Sequence, residues 1–216
     1  MELKLIFLVI LAVVSAVYLI LLFFKQEKLQ GILKSCLMPL VLAVYIFGAD
    51  RILLPVVLAL IFGWAGDVFL LKISDLRCFR FGLASFLLGH ICYIAAMYKF
   101  ALPFNFTVLG ISIVIAAVLG FFIFRFIRPN KEMKIPVIVY ETIIIVMALS
   151  ALQVFMVQGG AFGTLVLAGS LCFLASDSLL AYDTFQKNST LGHFLVMLTY
   201  IAAQLLIALG FSAPGI

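Results

Sequence analysis

Long apolar runs, each about the length that crosses a bilayer, follow one another along almost the whole chain, separated by short polar or charged breaks. A spanning helix needs about 20 predominantly apolar residues, and runs of about 17 or more qualify. On that pattern the sequence predicts eight spans: 3–24, 33–48, 52–71, 82–99, 105–125, 135–157, 161–182 and 191–211. The breaks are short except for two polar segments, 72–81 and 126–134. The first run is too long for a cleavable secretion leader, and no small-residue cleavage site follows it before Lys25. The expected fold is an all-α integral membrane protein, a single polytopic domain over 1–216.

Polar positions inside the runs carry a second pattern. Ala65-Gly66-Asp67 with Leu70 is followed by Gly82 and His90; 110 positions later, Ala175-Ser176-Asp177 with Leu180 is followed by Gly192 and Tyr200. The recurrence predicts two pseudo-repeats, approximately 1–100 and 104–214. Four spans per half give both halves one orientation, so the repeat is expected to be parallel, about an axis along the membrane normal.

Composition agrees with the span pattern. Hydrophobic residues make up 67% of the chain, charged residues 11%, and the mean hydropathy is +1.34. Soluble domains average roughly 45–50% apolar residues. The net charge of +5 therefore reflects loop basicity and topology, and no nucleic-acid partner is expected. Lys25, Lys28, Lys34, Lys72, Arg77, Arg80, Arg125, Arg128, Lys131, Lys134 and Lys187 fall on the odd loops and their flanks. Only Lys4, Arg51 and Lys99 fall on the other side, eleven against three. The positive-inside rule then puts the odd loops in the cytoplasm and both termini outside a cell membrane crossed many times. Cys36, Cys78, Cys92 and Cys172 are dispersed, three of them in expected spans, and suggest neither a disulfide framework nor a zinc site.

That orientation sets Asp67 and Asp177 four to five residues before the cytoplasmic ends of the third and seventh spans, roughly 6–8 Å deep. A charged acid at a helix centre costs about 2.5–3.5 kcal/mol on insertion scales, so an intramembrane carboxylate is a functional-site hypothesis. Snorkelling to the interface is the structural alternative. Desolvation and mutual repulsion keep such a pair from ionising together, and one protonated acid beside one carboxylate suits general acid/base catalysis.

His90 and Tyr93 lie three residues apart on one helix, with Tyr98 towards its outer end, and Tyr200 and Gln204 share a face at i, i+4. Each could bind a substrate or orient an aspartate, and His90 could equally be a helix–helix hydrogen-bonding group. Glu141, beside Tyr140, is a third acid at similar depth, able to join the site or to pair with Lys34. Lys34 itself opens the second span, as a phosphate contact for a phospholipid headgroup or as a topology determinant. Asp75 and Asp183 are expected to be solvated. Two histidines rule out a three-histidine metal centre, and neither a mixed ligand spacing nor a cofactor motif is recognisable. No G-x-S-x-G, H-E-x-x-H or phosphate-loop pattern occurs, against serine hydrolases, zincins and nucleotide-driven pumps.

Lys34-Ser-Cys-Leu-Met-Pro39, Gly66-Asp67-x-x-Leu70, Phe86-x-x-Gly-His90-x-x-Tyr93, Ser176-Asp177-Ser-Leu-Leu180 and Tyr200-x-x-x-Gln204 together resemble the YhhN-like lysoplasmalogenases over nearly the whole chain. Ser35 departs from the proline expected after the lysine. The resemblance implies a membrane hydrolase that cleaves the vinyl ether bond of a lysophospholipid substrate, a lysoplasmalogen. Its products would be a fatty aldehyde and glycerophosphoethanolamine or glycerophosphocholine. Asp67 and Asp177 would be catalytic, with His90, Tyr200 and Gln204 positioning water or headgroup. The rival readings are a proton-coupled transporter of a small or lipid-like substrate and a non-catalytic lipid-binding protein. Against the transporter, no span shows paired Gly/Pro breaks.

Overall fold

The computed structural model describes residues 2–24, 26–103, 131–187 and 189–213, together with scattered positions between 106 and 125. Among the described residues every regular element is helical: α1 Glu2–Leu21, α2 Glu27–Gly48, α3 Leu54–Phe69, α4 Leu76–Tyr98, α5 Lys134–Gln158, α6 Gly160–Tyr182 and α7 Thr190–Gly210. All seven, two of them with their short extensions, are long and apolar enough to cross a membrane. The expected span at 105–125 lies largely outside the described residues. The positions described within it, Phe106 and Arg125 among them, are helical.

Local chemistry sets the helix ends. Asp75 caps α4, its carboxylate accepting the backbone N–H of Arg77 (2.8 Å) and Cys78 (3.2 Å). Ser189 caps α7 by accepting the Gly192 N–H at 3.0 Å. Gly159 and Gly160 take φ of 59° and 58°, and this left-handed pair turns α5 directly into α6. Pro39 lies inside α2 and has no N–H for the Ser35 carbonyl. The indole Nε1–H of Trp64, on α3, donates to that carbonyl at 3.0 Å and ties the two helices together.

Two boundaries differ from expectation. The second span begins at Glu27 rather than 33, and the fourth at Leu76 rather than 82, so most of the polar segment 72–81 is helical and takes Cys78 with it. Hydropathy marks where apolar residues start. A helix runs on through charged residues wherever a cap or a neighbour satisfies its first N–H groups. The four cysteines are free.

The helices form a closed arrangement. Each of α2 to α7 packs on the next, α7 returns to α2, and α1 lies against α2 and α7. Small residues allow the closest approaches: a Cβ on Gly89 would come within 3.2 Å of the Ala59 carbonyl oxygen across α3–α4, and one on Gly169 within 2.9 Å of the Ala203 carbonyl oxygen across α6–α7. Large apolar side chains such as Leu5, Ile20, Leu54 and Phe81 face outward, as lipid contact requires. Arg80 near the start of α4 pairs with Glu132 just before α5 at 3.2 Å, and Gln158 at the end of α5 donates to the Phe100 carbonyl beyond α4 at 3.1 Å. Helices α4 and α5 therefore run in the same direction.

Candidate active site

Asp67, in the last turn of α3, and Asp177, near the end of α6, are both buried, at 2% and 6% exposure. They line one cleft, open on one side and with about 460 Å³ of non-protein space in and before it, together with Lys34, Ser176, His193 and Tyr200. Leu70, Ile73, Phe86, Leu180, Val196 and Met197 make its apolar walls. A mostly apolar cleft with a few convergent polar groups is the usual form of a small-molecule site.

The two acids have different partners. Lys34 Nζ stands 3.6 Å from Asp67 Oδ1, and the Tyr200 hydroxyl donates to Asp67 Oδ2 at 2.8 Å. The Tyr140 hydroxyl donates to Asp177 Oδ2 at 2.6 Å, and His90 Nε2 lies 3.8 Å from the same oxygen. His90 is 1% exposed, with its ring set edgewise against Phe173 (4.8 Å) and Tyr140 (5.6 Å). A chain of hydrogen bonds leads to Asp67 from deeper in the bundle. The Tyr93 hydroxyl donates to Gln204 Oε1 at 2.6 Å, Gln204 Nε2 reaches the Tyr200 oxygen at 3.5 Å, and Tyr200 donates to Asp67. Lys34, Tyr93, Gln204 and Tyr200 thus form one network around Asp67, while Tyr140 and His90 stand at Asp177.

Glu141 is completely buried, and neither carboxyl oxygen has a hydrogen-bond partner among the described residues. It shares a second, narrow cavity between α4, α5 and α6 with Asp177 and Tyr140. Of the two alternatives for Glu141, the pairing with Lys34 is not formed, because Lys34 turns to Asp67. Lys34 does not open its helix either. Helix α2 starts a full seven residues earlier, so the side chain projects from the second turn and its stem reaches inward.

Asp183, expected to be solvated, is 4% exposed. It begins a π-helical turn, Asp183–Lys187, that follows α6. Its Oδ1 accepts the Ser189 backbone N–H (2.9 Å) and hydroxyl (3.3 Å), and its Oδ2 lies 3.2 Å from His193 Nδ1. His193 is a cleft residue that sequence reasoning missed. Its spacing of seven from Tyr200 puts the two on one helical face, the one signal that pointed to it. Tyr98 stays at the end of α4, 58% exposed and away from the acids. Among the described residues no group of three His, Cys, Asp or Glu is placed to hold a metal ion.

Comparison with known proteins agrees with these motifs. Lysoplasmalogenase TMEM86B of Homo sapiens is 34% identical over 131 residues, covering 59% of this chain and 51% of that protein. A lysoplasmalogenase of Mycobacterium tuberculosis is 30% identical over 137 residues, covering 62% and 51%. Lysoplasmalogenase TMEM86A of Bos taurus is 31% identical over 156 residues, covering 69% and 62%. The chain therefore spans about half the length of the first two relatives. No solved structure matches it significantly. The YhhN family model matches residues 29–211, which include every residue of the cleft, and the chain belongs to the YhhN family.

Proposed function

We propose that the chain is a lysoplasmalogenase-like membrane hydrolase that opens the vinyl ether bond of a lysoplasmalogen. The observation that carries this reading is the single cleft lined by both Asp67 and Asp177, and the names of the relatives point to the same chemistry. One acid protonates the β-carbon of the vinyl ether, and positive charge develops on the α-carbon and ether oxygen. The other, as a carboxylate, stabilises that charge. Water adds to the α-carbon and returns a proton to the acid that gave one. The hemiacetal then splits into a fatty aldehyde and the glycerol hydroxyl of the glycerophospho-headgroup, its O–H proton passing to the departing oxygen. His90, Tyr93, Tyr140, Glu141, Tyr200 and Gln204 shape and orient this pair, and the apolar walls take the alkenyl chain.

The test is aldehyde release by purified protein from a lysoplasmalogen and from its saturated alkyl-ether analogue. Release from the vinyl ether alone, lost in Asp67→Asn and Asp177→Asn, is the expected result. Full turnover in either variant would sink the paired-acid mechanism.

The proposed architecture has an eighth span at 105–125 and two parallel four-helix halves. The common direction of α4 and α5 supports the extra crossing, because the chain between them must return to the face where α4 began. Crossed pairing supports the repeat: Tyr200 from the second half meets Asp67, and its counterpart in the frame, His90, meets Asp177. The basic-residue count favours a cleft towards the cytoplasmic leaflet. Labelling of Ser74→Cys from outside intact cells, in a variant without native cysteines, would overturn that orientation.

A further inference from the structure

We infer that Lys34 sets a division of labour between the two aspartates, holding Asp67 as the standing carboxylate and leaving Asp177 as the proton donor. The inference rests on the proposed vinyl ether hydrolysis and assigns its roles. Asp67 has a favourable group at each oxygen, the Lys34 ammonium in an ion pair 3.6 Å from Oδ1 and the Tyr200 hydroxyl donating to Oδ2. A cation on one oxygen and a hydroxyl on the other match the acceptor-only inventory of an ionised carboxylate. Lys34 has a side chain only 15% exposed and is directed at the acid, so it serves as a counter-ion rather than a headgroup anchor.

Asp177 stands in different surroundings. The contacts that reach it, from Tyr140 and His90, converge on Oδ2. Among the described residues no lysine or arginine pairs with it. Its neighbour across the second cavity is another carboxyl, Glu141, fully buried and unpartnered. Two such acids without a cation between them do not readily ionise together away from bulk water. With Oδ2 taken by the Tyr140 hydroxyl, a proton on Asp177 is held at Oδ1.

The step then balances. The Asp177 O–H bond breaks and its proton forms the new C–H bond at the β-carbon, using the π pair of the vinyl ether. The resulting oxocarbenium charge faces the Asp67 carboxylate. Water forms a C–O bond at the α-carbon and loses a proton to Asp177, which restores the acid. Lys34 touches no reacting atom and is a positioning residue.

The experiment measures binding to the purified full chain in detergent. The probes are a single-chain lysolipid carrying a protonated secondary amine in place of the vinyl ether, and its uncharged alkyl-ether counterpart. Wild-type protein is expected to hold the amine roughly tenfold or more tightly than the ether, as mimics of transition-state charge do. Asp67→Asn and Lys34→Met are expected to lose that preference, whereas Asp177→Asn and Lys34→Arg keep it. Loss in Asp177→Asn with retention in Asp67→Asn would reverse the roles and overturn the inference. Loss in both aspartate variants, or in neither, would overturn it as well. The Lys34 pair guards against misfolding, since the charge is kept in the arginine variant and lost in the methionine one. Aldehyde release is read separately. A wild-type protein that releases none from lysoplasmalogen refutes the proposed function, whatever the amine preference shows.

Discussion

Substituting Gly66 by alanine tests whether the cleft depends on the close approach of α3 and α4. A Cβ at Gly66 would meet Phe86 ring atoms at 2.6–2.8 Å, where ordinary contact begins at 3.4 Å. The ring must retreat by about 0.8 Å, a displacement of the overpacking kind that costs about 1–3 kcal/mol. Helix propensity works the other way, favouring alanine over glycine by about 0.8–1 kcal/mol. The net expectation is destabilisation of about 0–2 kcal/mol. Phe86 has nowhere neutral to go, because it lines the cleft and stands edge-on to Tyr200, 5.8 Å between ring centres. Movement of Tyr200 disturbs its bond to Asp67, so aldehyde release should fall together with stability. Gly31→Ala is the control. Its Cβ would meet only Leu71 Cδ2, at 3.7 Å, so propensity acts alone and the variant should gain up to about 1 kcal/mol. The assay is the temperature at which half the detergent-solubilised protein remains monodisperse on size exclusion, read beside turnover. Equal stability and activity in the two variants would refute the packing argument, as would a gain for Gly66→Ala.

Three further outcomes follow from the hydrogen bonds. Trp64→Phe strips the Ser35 carbonyl of its donor and should cost about 0.5–1.5 kcal/mol by the same heating assay; Pro39→Ala restores a backbone N–H for that carbonyl and should make the loss of Trp64 nearly harmless. An additive double variant would refute the compensation. Tyr140→Phe removes the hydroxyl at Asp177 Oδ2 and should lower aldehyde release by roughly tenfold or more, the size expected for a hydrogen bond to a charged or reacting group; unchanged turnover would exclude Tyr140 from orienting the acid. Asp183→Ala leaves the Ser189 N–H without its acceptor and should cost about 1–3 kcal/mol, whereas Asp183→Asn, whose carboxamide oxygen still accepts, should recover most of it. Equal melting of the two would show that Asp183 does not hold this turn.

Hydropathy and spacing determined a great deal of this protein. Seven of the eight expected spans correspond to helices within a few residues at most ends, since apolar length is a property of the sequence alone. The frame around Asp67 and Asp177 picked out two side chains that share a cleft, and the i, i+4 relation of Tyr200 and Gln204 survives as a contact. Helical periodicity assigns a residue to a face, and these readings needed nothing more.

Tertiary structure decided which faces meet. In the sequence Lys34 had no defined neighbour among the acids; the early start of α2 and its packing on α3 bring it to Asp67. Asp183 looked like a loop acid until the turn before α7 folded Ser189 and His193 onto it. Glu141 and His90 lie in apolar runs whose spacing left several partners open. Only the approach of α4, α5 and α6 gathers them at Asp177, one beside an oxygen and one across a cavity. The sequence thus determined that two acids lie in apolar runs, each within the same recurring residue frame. Long-range packing alone gave one of them a lysine and the other a carboxyl neighbour, because the electrostatics of a buried acid depends on the helices beside it and not on the one that carries it.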